Sequence, residues 1–338
     1  MSAQTAPVRW GILGASRIAD GAILPGMTKS PACNPLAIAA RDLSRAQDLA
    51  TKHGVERAYG SYDALLSDPE IEAVYVSLPN HLHIEWVHRA AQAGKHVLVE
   101  KPGAMRAAEY ARLDRVDPAL KISEAFMVRH QPRWIRLRAI LRSGEFGAPK
   151  TFSSLLSFFM TNADDFRQKP EWGGGAYFDL GCYTAMAARY VFDAEPGRAL
   201  ALMETNAAGI DLFSSVILDF GAGRQATFMV SLAQASSQSI QIVCERAFIT
   251  LPQAYVPSRT EPNAILIDTS ADHARSEPRA IEFPPLDQYE AEVTNFSRAV
   301  RGDDVPYFGL SDARAGAAVA DAIFASARSG TWADVEGG

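Results

Sequence analysis

Short, unbroken apolar runs separated by amphipathic stretches organise the first third of the chain. Residues 8–13, 36–40, 73–78, 96–99 and 121–124 are such runs. A strand covered on both faces reads as a continuous apolar segment, the habit of a parallel sheet. Between the runs lie stretches with helical spacing, at 63–66, 82–93 and 106–116. Asn80 is placed to cap the second of these and Gly94 to end it. Strand and helix alternate in this way for about 120 residues, the pattern of a doubly wound parallel sheet.

Beyond Phe126 the pattern changes. A helix is predicted over 132–143, and then strand-like runs follow at 150–160, 198–206, 211–220, 225–232, 239–243 and 247–251. Gly, Asn and Ser break these runs and short links join them, which predicts an antiparallel sheet. Residues 251–285 read as a polar, proline-rich loop, and helices over 286–301 and 311–326 close the chain. The expected class is α/β: an N-terminal Rossmann doubly wound sheet over residues 1–124, then a C-terminal α+β domain with a large, mainly antiparallel open sheet over 125–338.

Composition narrows the field of functions. Of 338 residues 48% are apolar and 21% charged, enough to bury a sizeable core. The net charge of −6 is spread out with no basic block, which argues against a nucleic-acid partner. Cys33, Cys182 and Cys244 lie far apart, fitting a reducing compartment. No apolar run reaches the ~20 residues of a membrane span, and residues 1–8 lack the apolar core of a secretion signal. A soluble, cytoplasmic protein is expected.

The first strand ends in Gly14-Ala15-Ser16-Arg17-Ile18-Ala19, which follows Gly-x-Gly-x-x-Gly/Ala with Ser16 at the second glycine. That pattern makes a tight turn at Gly14 and lets the helix N-terminus face a pyrophosphate. The second strand ends in Ala40 and Arg41, with Arg45 one helical turn on. Two guanidinium groups there favour the 2′-phosphate of NADP, while Asp42 leaves NAD open. Asn80 and His81 follow the 73–78 strand, where they would reach a nicotinamide ribose or a substrate. No metal site is expected, because His81 and His83 lack an acidic or cysteine cluster.

The run 96–99 delivers Glu100, Lys101 and Pro102 to the carboxyl end of a strand, where ligands collect in open α/β sheets. Farther on, Gly173-Gly174-Gly175 leads into a helix on which Asp179 and Tyr183 stand four apart. Arg129, His130, Phe158, Asn162 and Trp172 fall near the junction of the two predicted domains and would supply an aromatic and polar wall for a ring-shaped substrate.

Taken together, the glycine turn, Glu100-Lys101-Pro102 and the Gly173-to-Tyr183 element resemble the glucose–fructose oxidoreductase/inositol dehydrogenase/rhizopine catabolism (Gfo/Idh/MocA) family. The stretches 40–45 and 124–129 are similar to its dimeric dihydrodiol dehydrogenase and NADP-dependent aldose dehydrogenase branch. Tyr183 stands where inositol dehydrogenases carry histidine, which favours a sugar or cyclic diol over a polyol. The resemblance implies cofactor contacts from Gly14, Ala15, Ser16, Arg17 and Ile18, from Ala40, Arg41 and Arg45, and from Leu78, Pro79, Asn80, His83, Glu100 and Lys101. It implies hydride transfer between a nicotinamide and an alcohol carbon of a sugar or cyclic alcohol.

Oxidising an alcohol needs a base for its proton, and a phenol near pKa 10 serves better when an ammonium favours its ionised form. Tyr183 is accordingly expected to act as general acid/base, Lys101 as its electrostatic partner and Asp179 as an orienting group, with Lys101 as proton carrier the competing assignment. A dihydrodiol dehydrogenase, a dismutase that keeps its cofactor and a non-catalytic NADP sensor are the rival functions. A homodimer or higher homo-oligomer through the C-terminal sheet is expected.

Overall fold

The computed structural model describes residues 6–162, 164–270 and 277–336. Most of the segment considered for a secretion signal lies outside them. Six strands, β1 (Val8–Leu13), β2 (Cys33–Ala39), β3 (Arg57–Tyr59), β4 (Ala73–Val76), β5 (His96–Glu100) and β6 (Ile122–Ala125), form a sheet in the order β3-β2-β1-β4-β5-β6. Every pairing is parallel. The order reverses between β1 and β4, and doubly wound sheets bind ligands beyond the carboxyl ends of their strands at that reversal. The helices of this part are α1 (Leu24–Lys29), α2 (Leu43–His53), α3 (Tyr62–Leu66) and α4 (His83–Gln92).

Local chemistry explains these elements. Asp42 accepts from the Ser44 N–H and starts α2, and Gly54 in the left-handed region stops it. Ile84, Val87, Ala90 and Ala91 give α4 its buried face. Helix α4 begins at His83 without a side-chain cap, which corrects the capping role expected of Asn80. A 3₁₀ helix over Ala107–Leu113 replaces the helix expected at 106–116. Its two buried side chains, Tyr110 and Leu113, are three apart, the repeat of a 3₁₀ helix.

The remaining elements are α5 (Pro132–Ser143), β7 (Pro149–Phe159), α6 (Cys182–Phe192), β8 (Arg198–Thr205), β9 (Asp211–Asp219), β10 (Gln225–Ser231), β11 (Ala233–Cys244), β12 (Phe248–Pro252), β13 (Asn263–Asp268), β14 (Arg279–Phe283), α7 (Gln288–Val300), α8 (Leu310–Ser329) and β15 (Ala333–Asp334). Nine of these strands make one sheet, β14-β13-β12-β11-β7-β10-β9-β8-β15. It is antiparallel except where β10 runs parallel to β7. Strands β13 and β14 lie inside the stretch expected to be loop. Ile265 and Ile267 are buried on one face of β13, a period-2 signal too short to stand out among flanking prolines.

Two compact units result. One holds Met1–Ala104, Ala108–His130 and Asp287–Ala313, and the other Met105–Ala107, Gln131–Leu286 and Arg314–Gly338. The single division expected after residue 124 is therefore corrected. Helix α7 belongs to the parallel-sheet unit because Trp10 of β1 packs on Phe296 at 5.4 Å and donates its indole N–H to Ser297 Oγ at 3.0 Å. Cys33, Val293 and Phe296 share that core. No helix among the described residues is long and apolar enough to cross a membrane.

Candidate active site

In the first unit the expected cofactor residues gather along the carboxyl edge of the parallel sheet. Gly14 has φ 109°, and a Cβ there would meet the Ser77 carbonyl oxygen at 3.0 Å, so only glycine makes this turn without strain. Ser16 Oγ accepts from the Ala19 N–H at 3.1 Å, so the hydroxyl that replaces the usual glycine helps to start the following helical turn. Ala19 is fully buried, as close packing of helix on strand demands. Ile18 packs against the core beneath, and Arg17 is exposed beside it.

At the end of β2, Ala40 is buried while Arg41 and Arg45 are exposed. Arg45 donates to the Ala15 carbonyl at 2.8 Å, which ties α2 to the glycine turn. Neither arginine is ion-paired to a carboxylate among the described residues, and the positive charges of both bear on the Tyr62 hydroxyl. Asp42 is occupied by the Ser44 N–H at 2.9 Å and the Ser44 hydroxyl at 2.8 Å. Two exposed guanidinium groups beside a helix start, neither in a direct ion pair among the described residues, suit a phosphate. The glycine turn, the buried Ala19 and these cations together fit a dinucleotide carrying a 2′-phosphate.

Leu78, Pro79 and Asn80 follow β4, with Leu78 and Asn80 buried. His83 is fully buried, with Nδ1 2.7 Å from the Pro102 carbonyl oxygen and Nε2 2.7 Å from that of Leu78. Both ring nitrogens thus face backbone carbonyl oxygens, and the tautomer decides which of the two receives the N–H. Burial, aided by the Lys101 and His81 charges, pushes this imidazole down to about 4. Glu100 accepts from the Tyr75 hydroxyl. Lys101, half-buried, comes next, at the carboxyl end of β5.

Arg129 and His130 also belong to this unit. Arg129 pairs with Asp312 and lies between the rings of Phe126 and Phe308, 5.1 and 4.3 Å from their centroids. His130 Nδ1 accepts from Asn295 Nδ2 at 3.2 Å, and burial pushes its pKa down to about 3. Both are buried and engaged within their own unit, where they pack around α7 and the start of α8.

In the second unit, the glycine run is forced by close contacts. A Cβ on Gly174 would lie 2.4 Å from the Arg167 carbonyl oxygen, and one on Gly175, at φ 115°, would lie 1.9 Å from Asp211 Oδ1. Asp211 Oδ2 accepts from the Tyr177 N–H at 2.7 Å and the Ser214 hydroxyl at 2.8 Å. Burial pushes the Asp211 carboxyl up to about 6. The turn Tyr177–Gly181 then carries Asp179 into α6, which carries Tyr183.

Asp179 is buried and its Oδ2 lies 2.6 Å from Arg167 Nε, while Arg167 Nη1 reaches Asp165 Oδ1 at 3.1 Å. The sequence singled out neither Arg167 nor Asp165 nor Asp211. An arginine just ahead of a glycine run was the only signal for the first. Tyr183 is buried, edge-on to Tyr255 at 6.1 Å. Phe158 is half-buried, Asn162 is exposed with Oδ1 accepting from the Asp164 N–H, and Trp172 lies under the Lys169 ammonium at 4.3 Å. No group of three or more His, Cys, Asp or Glu among the described residues is arranged to hold a metal ion.

Known proteins resemble this chain in sequence and fold. Residues 8–122 match the model of an oxidoreductase family with an NAD-binding Rossmann fold, and residues 134–250 match that of the Gfo/Idh/MocA C-terminal domain. The chain is 39% identical over 333 residues to an uncharacterised oxidoreductase of Rhizobium meliloti, covering 97% of this chain and 99% of the relative. It is 34% identical over 331 residues to an NADP(+) D-xylose 1-dehydrogenase of Haloferax volcanii, again covering 97% and 99%. A 3-ketoreductase from Actinomadura kijaniata, solved with NADP and TDP-benzene, superimposes with a TM-score of 0.86 at 27% identity, over 95% of this chain and 98% of that one. Likeness along the whole length, on a parallel sheet bearing the glycine turn and Lys101 along one edge, makes this chain a member of the Gfo/Idh/MocA family of oxidoreductases.

Proposed function

We propose that the protein is an NADP-dependent sugar dehydrogenase that oxidises the CH–OH group at C1 of an aldose, or in reverse reduces a keto-sugar. The observation that carries this reading is the end-to-end likeness to a relative named as an NADP(+) D-xylose 1-dehydrogenase. Arg41 and Arg45 support the phosphorylated cofactor: two exposed cations at the end of β2 that would hold the 2′-phosphate of a bound dinucleotide. When bound, the nicotinamide supplies the hydride acceptor or donor.

The chain's own residues manage the proton and the orientation. Tyr183 takes the hydroxyl proton as hydride leaves the carbon, and Lys101 supplies the positive charge that favours the phenolate. Asp179, held by Arg167, orients the phenol or a substrate hydroxyl. Phe158 and Trp172 offer aromatic faces to a pyranose ring, and Asn162 a polar edge. The oligomer we propose is a homodimer or larger, formed through the open face of the nine-stranded sheet.

Paired NAD and NADP titrations followed by an aldose panel test the reading. Lys101→Ala and Tyr183→Phe are each expected to lower kcat by on the order of 10²–10⁴-fold while NADP still binds. Near-wild-type turnover by both variants would overturn the mechanism, and NADPH formation with no aldose would overturn the substrate class.

A further inference from the structure

The backbone on either side of Lys101 is held by different devices. Before it, Glu100 is paired to Ala125 in the β5–β6 ladder. After it, no strand continues, and the Pro102 carbonyl meets His83 Nδ1 at 2.7 Å. The next residue, Gly103, donates its N–H to Glu124 Oε1 at 2.6 Å. The other face of the same imidazole meets the Leu78 carbonyl at 2.7 Å, at the end of β4. Immediately before Leu78, Ser77 Oγ donates to the carbonyls of Leu13 and Gly14 at 3.2 and 3.1 Å. Ser77 thus ties the loops that leave β1 and β4, and the His83 ring, with one N–H in its neutral form, sits between the carbonyls that end β4 and follow β5 and donates to one of them at a time.

We propose that His83 is a positioning residue: it spans the ends of β4 and β5 and fixes the backbone that presents Lys101. The inference rests on the acid–base reading of Lys101 given above and goes beyond it, since His83 touches backbone on both sides. The imidazole sits at the first position of α4, so its own backbone is set by a helix packed on the sheet through Ile84, Val87, Ala90 and Ala91. A rigid element therefore carries the staple, while the segment it holds has no ladder of its own. Without the ring, the Pro102 carbonyl loses its imidazole contact, and the peptide that follows the lysine gains freedom. A displacement of about 1 Å at a catalytic group can cost on the order of 10²-fold in rate.

The test is a double-mutant cycle in the full-length enzyme, with His83→Ala, Lys101→Ala and the pair. His83→Ala is expected to lower kcat by on the order of 10²-fold, with the sugar KM within about threefold of wild type. In the Lys101→Ala background the same substitution should change kcat by less than about threefold, because the group it positions is gone. If His83→Ala does not fold, His83→Gln, which keeps a single donor of similar reach, is measured in its place. An equal loss of kcat in both backgrounds, an effect confined to KM, or an unchanged kcat would overturn the positioning role. Wild-type turnover by Lys101→Ala alone is a separate result: it would remove the acid–base reading itself, and this inference with it.

Discussion

Replacing Gly175 by alanine adds one methyl group at the point where the glycine run meets Asp211. The backbone there has φ 115°, which side-chain-bearing residues hold only at a cost of about 1–3 kcal/mol. The new Cβ would stand 1.9 Å from Asp211 Oδ1 and 3.0 Å from its Cγ, so the carboxylate must leave its place. Leaving means giving up the Tyr177 N–H and the Ser214 hydroxyl. Hydrogen bonds to a charged group contribute about 1.5–3 kcal/mol each, but a displaced carboxylate regains some of that from water. The sum is about 3–6 kcal/mol, a large part of the 5–15 kcal/mol that stabilises a typical domain. Urea unfolding at pH 7.5, followed by near-ultraviolet circular dichroism, measures it. In an Asp211→Ala background the steric part disappears and the same substitution should cost only its backbone share, about 1–3 kcal/mol. A Gly175→Ala protein within 1 kcal/mol of wild type, or strictly additive costs in the pair, would refute the reasoning.

Three other outcomes follow from the same geometry. Because burial raises the Asp211 carboxyl to about 6, the folded state holds a proton that the unfolded chain has released, so stability should fall as pH rises from about 4 to about 6. The full drop is at most about 3 kcal/mol; Asp211→Asn should flatten melting temperature against pH in that window, and an unchanged slope would contradict it. Arg41→Ala with Arg45→Ala should raise the NADP Kd by on the order of 10²-fold through two lost charge-assisted contacts, with NAD little affected; equal weakening of both cofactors counts against the phosphate assignment. Leu202 and Met229, 71% and 43% exposed on the open sheet face, should lie inside the proposed homo-oligomer. Leu202→Asp should then yield monomers by light scattering, and a monomeric wild type at micromolar concentration would end that proposal.

Five of the six strands of the parallel sheet were legible because they are largely buried on both faces and spell themselves as apolar runs, residues 73–76 being fully covered; the edge strand β3, three half-buried residues beginning with Arg57, gave no such run. The nine-stranded sheet was legible in its alternation, but not in β13 and β14, whose short apolar sets sit among prolines and polar residues, nor in the two-residue β15. Membership of α7 in the first unit was invisible, since nothing local to Phe296 and Ser297 names Trp10 as their partner. The site was legible where backbone conformation dictates residue type, as at Gly14 and Gly175. It was not legible where one polar side chain answers another across a loop, as Arg167 does Asp179. Nor did the sequence show that Arg129, His130 and His83, polar residues near strand ends, also meet a carboxylate, an amide and backbone carbonyls within their own unit.

The seating of α7 against β1 has a consequence for biogenesis. A ribosome finishes the six parallel strands long before it reaches Val293 and Phe296, so the indole of Trp10 and the thiol of Cys33 must wait, uncovered on that flank, while more than half of the polypeptide is still being made. A nascent or truncated product ending ahead of Asp287 would display that apolar seam to chaperones and to its own kind, and the dinucleotide-binding half would reach its mature packing only near the end of translation.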